Sequence, residues 1–151
     1  MTKQEMLDAL EQAKKAHLQQ MQKIEDGMDG KHVDNPTALS KKECEFGSWF
    51  YANEKEIRTV LGSQLFDRLD KGHEEWHKEY LPIFNVLFKE NTKTGLFSKI
   101  FGSGKIDTLA LDKAKAYFVE LQKASDELLK VVESAIRRVS ALPDTKFTTS
   151  V

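Results

Sequence analysis

Apolar residues recur along the first part of the chain at helical steps: Met6, Leu10, Ala13, His17, Met21, Ile24 and Met28 are separated by 4, 3, 4, 4, 3 and 4 positions. Such spacing lays one stripe along a helix, with a histidine inside it. The capping box Thr2-Lys-Gln-Glu5 predicts the start, Gly27 and Gly30 predict the end, and the helix is expected from about Thr2 to Asp26. A loop containing His32 follows through Asn35-Pro36. A second capping box, Ser40-Lys-Lys-Glu43, predicts another helix with Cys44 in its first turn and Phe46, Trp49, Phe50 and Tyr51 beyond it. The third stripe, from about Ser63 to Lys89, is Leu65, Leu69, His73, Trp76, His77, Tyr80, Phe84 and Leu87, with a kink expected at Pro82. The last, from about Asp107 to Leu142, is Leu111, Ala114, Phe118, Leu121, Ser125, Leu128, Val132, Ala135 and Val139, and it stops before Pro143.

Four main helices without a convincing strand predict an all-α fold, a four-helix bundle over residues 1–142, with 143–151 a flexible polar tail. There is no internal repeat or domain boundary. Leu96, Phe97, Ile100 and Phe101 make the third connection unusually apolar. A short extra helix or ordered loop over the bundle end is expected there; the alternative is a patch for a partner or a membrane surface.

Composition narrows the function classes. Lys+Arg 23 against Asp+Glu 24 gives a net charge of −1, interspersed along helical faces, so nucleic acid is not an expected partner. No signal peptide opens the chain and no stretch reaches the ~20 apolar residues that span a bilayer, which predicts a cytoplasmic protein without a transmembrane segment. A chain of 151 residues buries about 70% of its unfolded surface, enough to fold without a metal. Cys44 is the only cysteine, so it is a buried thiol, a metal ligand or a reactive sulfur.

His73 and His77 carry the most specific chemistry. An i, i+4 pair projects two imidazoles from one helical face at a separation a single metal bridges. Cys44 alone reads equally as a small buried hydrophobe, and His17 alone as a satisfied core histidine. Two core-facing histidines in one turn both need partners, and a shared metal removes that need. With His17 and Cys44 on neighbouring helices, the bundle interior offers Zn²⁺ one thiolate and three imidazoles, a complete tetrahedral shell. Gly47, Trp49 and Trp76 are expected to pack around these ligands, whereas His32 reads as a surface residue.

The run Cys44-Glu45-Phe46-Gly47-Ser48-Trp49-Phe50-Tyr51, with His17 upstream and His73-x3-His77 downstream, resembles the CZB, or chemoreceptor zinc-binding, domain. The resemblance implies a cytoplasmic, often homodimeric four-helix domain that binds zinc through His17, Cys44, His73 and His77 and regulates chemoreceptors or diguanylate cyclases. No methyl-accepting coiled coil or GGDEF-type catalytic domain accompanies it here. Action in trans or within a parent chain is expected, and the Met1 start favours the former.

Three rival readings exist. His73-Glu74-Glu75-Trp76-His77 matches the HExxH motif of zinc peptidases, with Glu74 as general base, but the cysteine would close the shell against a catalytic water. A hemerythrin-like di-iron bundle also uses helix-borne histidines, yet four histidines with one in a loop under-equip it. A redox sensor would use Cys44 as its reactive atom, activated by the positive end of its helix, and is compatible with zinc. Enzymatic activity is not expected.

Overall fold

The computed structural model describes residues 1–89 and 108–148. Within them the chain forms five α-helices and no strand: α1 (Lys3–Met28), α2 (Glu45–Ala52), α3 (Glu54–Leu61), α4 (Ser63–Leu87) and α5 (Thr108–Ala141). The result is an all-α bundle in which α4 and α5 form the most extensive contact and α1 lies along α5.

Helix α1 begins with the expected capping box: the Glu5 N–H donates to Thr2 Oγ1 at 3.1 Å, and the Thr2 N–H donates to Glu5 Oε2 at 2.7 Å. It runs two residues beyond the expected end, because Gly27 is a buried helical residue that lets the Phe88 ring approach, and Gly30, at φ 79°, lies past the cap. Met6, Leu10, Ala13 and Ile24 are buried as the stripe requires, joined by Ala16, while His17, Met21 and Met28 are only half-buried.

The second helical region departs from expectation. Ser40 and Glu43 form a turn, not a helix start; the helix begins at Glu45, with Cys44 as its cap. It also breaks after two turns. Asn53, at φ −112° and ψ 21°, donates both its backbone N–H and its side-chain Nδ2 to the Trp49 carbonyl, ending α2 and redirecting the chain into α3. Gly62 then adopts φ 84°, a left-handed conformation that β-carbon sterics disfavour in other residues, and turns α3 into α4.

Helix α4 continues through Pro82 to Leu87, and its buried set exchanges the expected Leu65 and Phe84 for Phe66 and Ile83. Phe66 stacks on Phe50 with centroids 4.3 Å apart, which joins α2 to α4 at the centre of the core. On α5 every expected position except Leu111 is buried, with Val131 added. The apolar connection carrying Leu96, Phe97, Ile100 and Phe101 lies outside the described residues.

The segment after α5, expected to be a flexible tail, is docked as far as Thr148. A 3-10 turn at Asp144–Lys146 carries Phe147 into the core, and the Thr148 N–H donates to the Met1 carbonyl. One aromatic ring anchors an otherwise polar segment. Phe147→Ala is therefore expected to cost about 3 kcal/mol, the low end for a buried Phe→Ala because a site near the chain end relaxes. Urea unfolding checks this; an unchanged midpoint would show that the ring contributes no packing.

Candidate metal centre

Cys44 enters the centre as the N-cap of α2. Its backbone is extended, at φ −70° and ψ 160°, and its Sγ accepts the Gly47 N–H at 3.3 Å, a bond made at this position by oxygen in Ser or Asp caps. The sulfur also lies 3.5 Å from the Lys41 carbonyl oxygen. A β-carbon on Gly47 would fall on that same carbonyl oxygen and lie 3.2 Å from His73 Cε1. Glycine thus lets the preceding turn fold against α2 while His73 packs beside it.

His73 and His77 come from one face of α4, and both are buried. Each ring has its Nδ1 side occupied. His77 Nδ1 donates to the Leu39 carbonyl at 2.9 Å, and His73 Nδ1 lies 3.4 Å from the Tyr51 hydroxyl. The Leu39 carbonyl can only accept, so His77 carries its proton on Nδ1 and leaves Nε2 as an acceptor, while His73 Nε2 stands 3.2 Å from Cys44 Sγ. The ligand atoms of Cys44, His73 and His77 all lie within 4.8 Å of one another. Zn–S and Zn–N bonds of about 2.3 and 2.05 Å at a tetrahedral angle give an S···N edge of about 3.6 Å. The observed sulfur–nitrogen separation lies close to that edge, and the borderline-soft N/S donor set suits zinc.

His17 is not part of this trio. Its Nε2 bonds to Ser125 Oγ on α5, and its ring stands edge-on to Trp76 with centroids 5.5 Å apart. The reason is tertiary, since the packing of α1 along α5 sets His17 beside the buried Ser125 hydroxyl. His17 nevertheless borders the same cavity of about 50 Å³, whose walls include Cys44, His73, Trp76 and His77. Trp49 does not line it and packs against Phe46 instead, at 6.2 Å between centroids. His32 is exposed and pairs with Asp34 at 2.8 Å.

Burial controls the protonation of the centre. It is the largest cause holding His17 down at about 4 and His73 at about 3, with repulsion from His77 second in each case. His77 is lowered by the same desolvation, partly opposed by its bond to the Leu39 carbonyl. His17 and His73 are therefore neutral near pH 7, the form that binds metal. For Cys44 burial wins over the N-cap hydrogen bonds and raises the thiol above its ordinary range, contrary to the expectation that the helix terminus would lower it. Glu74, the HExxH carboxylate, is exposed and paired with Lys41 at 3.6 Å, away from the cavity walls.

Reasoning from the sequence missed Tyr51, Asp70, Ser125 and the Leu39 carbonyl. A faint signal existed for two of them, because Tyr51 follows Cys44 by seven residues and Asp70 precedes His73 by three, both same-face helical spacings. A backbone carbonyl leaves no trace in side-chain chemistry.

Residues 17–80 match the sequence model of the chemoreceptor zinc-binding domain family, a span that opens on His17 and contains Cys44, His73 and His77. That family is a zinc-binding regulatory one, and the cofactor it implies is Zn²⁺. No curated protein and no solved structure matches the chain.

The depressed histidines carry a pH dependence. Unfolded histidines titrate near 6.5, so between there and the folded values of about 4 and about 3 the unfolded chain binds more protons than the folded one. Stability is therefore fully present above about pH 6.5 and is lost as the pH falls below it. The chelated protein is expected to melt progressively lower between pH 7 and pH 5, and His73→Gln should flatten the profile. A melting temperature independent of pH over that interval would contradict the assignment of neutral buried imidazoles.

Proposed function

We propose that this chain is a zinc-responsive regulatory bundle that binds one Zn²⁺ through Cys44, His73 and His77 with His17 as the fourth ligand, and that has no catalytic activity of its own. The observation that carries the reading is the convergence of Cys44 Sγ with two imidazoles whose Nδ1 sides are both occupied. When bound, zinc supplies a cross-link between α1, α2 and α4 that the side chains alone do not make. His17 reaches the centre by giving up Ser125, which turns metal occupancy into a change in how α1 meets α5. Ser125 can satisfy its hydroxyl without His17, since a helical serine bonds readily to a carbonyl one turn earlier.

The family match supports a signalling partner, such as a chemoreceptor or a diguanylate cyclase, reached in trans or within a parent chain in the cytoplasm. No helix among the described residues is long and apolar enough to cross a membrane. Homodimerisation is part of the same proposal, supported by the apolar side chains that α1 and α5 leave exposed, Leu18, Tyr117 and Val119 among them. Light scattering is expected to give twice the mass of the 17.3 kDa chain, and a monomer at micromolar concentration would rule the dimer out. Oxidant sensing fits less directly, because the metal-free Cys44 thiol is raised by burial and is a weak nucleophile. An oxidant would have to act on the metal-bound thiolate.

Metal analysis of protein purified without added zinc is expected to give one Zn²⁺ per chain, with sulfur in the first shell by X-ray absorption. A shell lacking sulfur would overturn the role of Cys44. His17→Ala should weaken zinc binding less than His73→Ala does, because three ligands remain from the preformed trio. Ser125→Ala should tighten binding about fivefold, since a competing hydrogen bond is worth about 1 kcal/mol. Unchanged or weaker binding in that variant would remove the exchange between Ser125 and the metal.

A further inference from the structure

His73 and His77 are oriented by different kinds of partner. His77 leans on a backbone carbonyl, Leu39, which can only accept a hydrogen bond. His73 leans on the Tyr51 hydroxyl, which can donate or accept, so something else must decide which way the proton lies. That decision falls to Asp70, whose Oδ1 is 2.6 Å from the Tyr51 hydroxyl. An O–H group facing a carboxylate at this distance makes a charge-assisted bond, and a phenol has only one hydrogen to give. With that hydrogen committed to Asp70, the Tyr51 oxygen is left with lone pairs toward His73 and can only accept.

We propose that Tyr51 and Asp70 are positioning residues for the metal: the relay from Asp70 through the Tyr51 hydroxyl keeps His73 protonated at Nδ1 and presents its Nε2 lone pair to the centre. The proposal rests on the metal-centre reading above and names what tunes that site. In metal sites the hydrogen bond on the far side of a ligating histidine fixes ring orientation and makes the nitrogen a better donor, and here the carboxylate exerts that effect through a phenol.

The helical geometry explains why these residues serve. Asp70 and His73 are three apart on α4 and share a face, while Cys44 and Tyr51 lie seven apart and bracket His73 from the two ends of α2. One short helix thus contributes a metal ligand at its cap and an orienting acceptor two turns later. Lys41 holds the relay in place: its Nζ reaches the same Asp70 oxygen at 3.1 Å and stands 5.4 Å from the Tyr51 ring centroid. Phe46 closes the remaining side of His73 with an edge contact at 4.9 Å between centroids, so the ring has little freedom to turn away.

The test compares wild type, Tyr51→Phe and Asp70→Asn at one pH near neutrality, with zinc affinity measured against a chromogenic chelator. The Co²⁺-substituted spectrum and the melting temperature of the chelated protein are recorded alongside. Tyr51→Phe keeps the ring and removes the acceptor, and is expected to weaken zinc binding about 10- to 100-fold, the usual cost of losing such a partner. Asp70→Asn still offers an acceptor oxygen but no charge, so a loss in the same direction and smaller is expected. In the Co²⁺ form of Tyr51→Phe the ligand-field bands should shift while the thiolate charge-transfer band from Cys44 persists. If Tyr51→Phe does not fold, Asp70→Asn, at a half-buried helical position, carries the test.

Wild type that binds zinc tightly while both variants stay within about twofold of it overturns the relay and leaves the metal centre standing. A loss of affinity matched by an equal loss of metal-free stability, with a wild-type Co²⁺ spectrum, also overturns it, because the two residues would then be structural. Wild type that takes up no zinc overturns the centre and the relay together.

Discussion

Two imidazoles buried one turn apart on α4 are the constraint around which this bundle is arranged. A buried ring nitrogen without a partner costs on the order of 1 to 3 kcal/mol, and the pair brings four such nitrogens to one place. The fold answers two of them with fixed acceptors, the Leu39 carbonyl and the Tyr51 hydroxyl. Much of the surrounding irregularity serves those bonds. The loop between α1 and α2 crosses α4 closely enough for His77 to reach Leu39 and for the Tyr80 hydroxyl to donate to the Thr37 carbonyl at 3.0 Å. Helix α2 is short and separately directed, which lets its first residues meet His73 from one side and its last turn meet it from the other.

Stability and metal chemistry are divided between regions of the same interior. The stack of Phe50 on Phe66, with Leu69 and Ile83 also buried along α4, ties α2 to α4 through apolar side chains. The centre lies where α1, α2, α4 and α5 approach one another around a small cavity, and its residues are linked by polar bonds that can be exchanged. Such bonds leave the site able to change partners without breaking that stack. His17 is the residue placed to do so, since it borders the cavity while bonded to a different helix.

Helix existence and the shared inward face of His73 and His77 were legible from the chain because both depend on local periodicity. The stripes in α1, α4 and α5 place their buried residues with few exceptions, and the i, i+4 spacing of His73 and His77 guarantees a shared face whatever the rest of the fold does. The break at Asn53 was not legible. Helix α2 ends there because an asparagine side chain competes successfully for the Trp49 carbonyl, an outcome that depends on which direction the core draws α3. The docked tail was missed for the opposite reason: a single Phe147 in a polar segment has no periodicity to reveal it, and only the folded core, with Thr148 bonded to Met1 beside it, makes it a buried residue.

The sequence by itself determined the all-α class, the faces that turn inward, and the supply of one thiol and three imidazoles to the interior, because helical period converts spacing directly into direction. Tertiary structure decided what those groups do with one another. It made Cys44 a helix cap with a raised thiol, gave His73 a phenol and His77 a carbonyl, and handed His17 to Ser125 across 108 residues of chain. Partners at such separations are set by which helices pack together, and packing answers to the whole apolar surface rather than to any one motif.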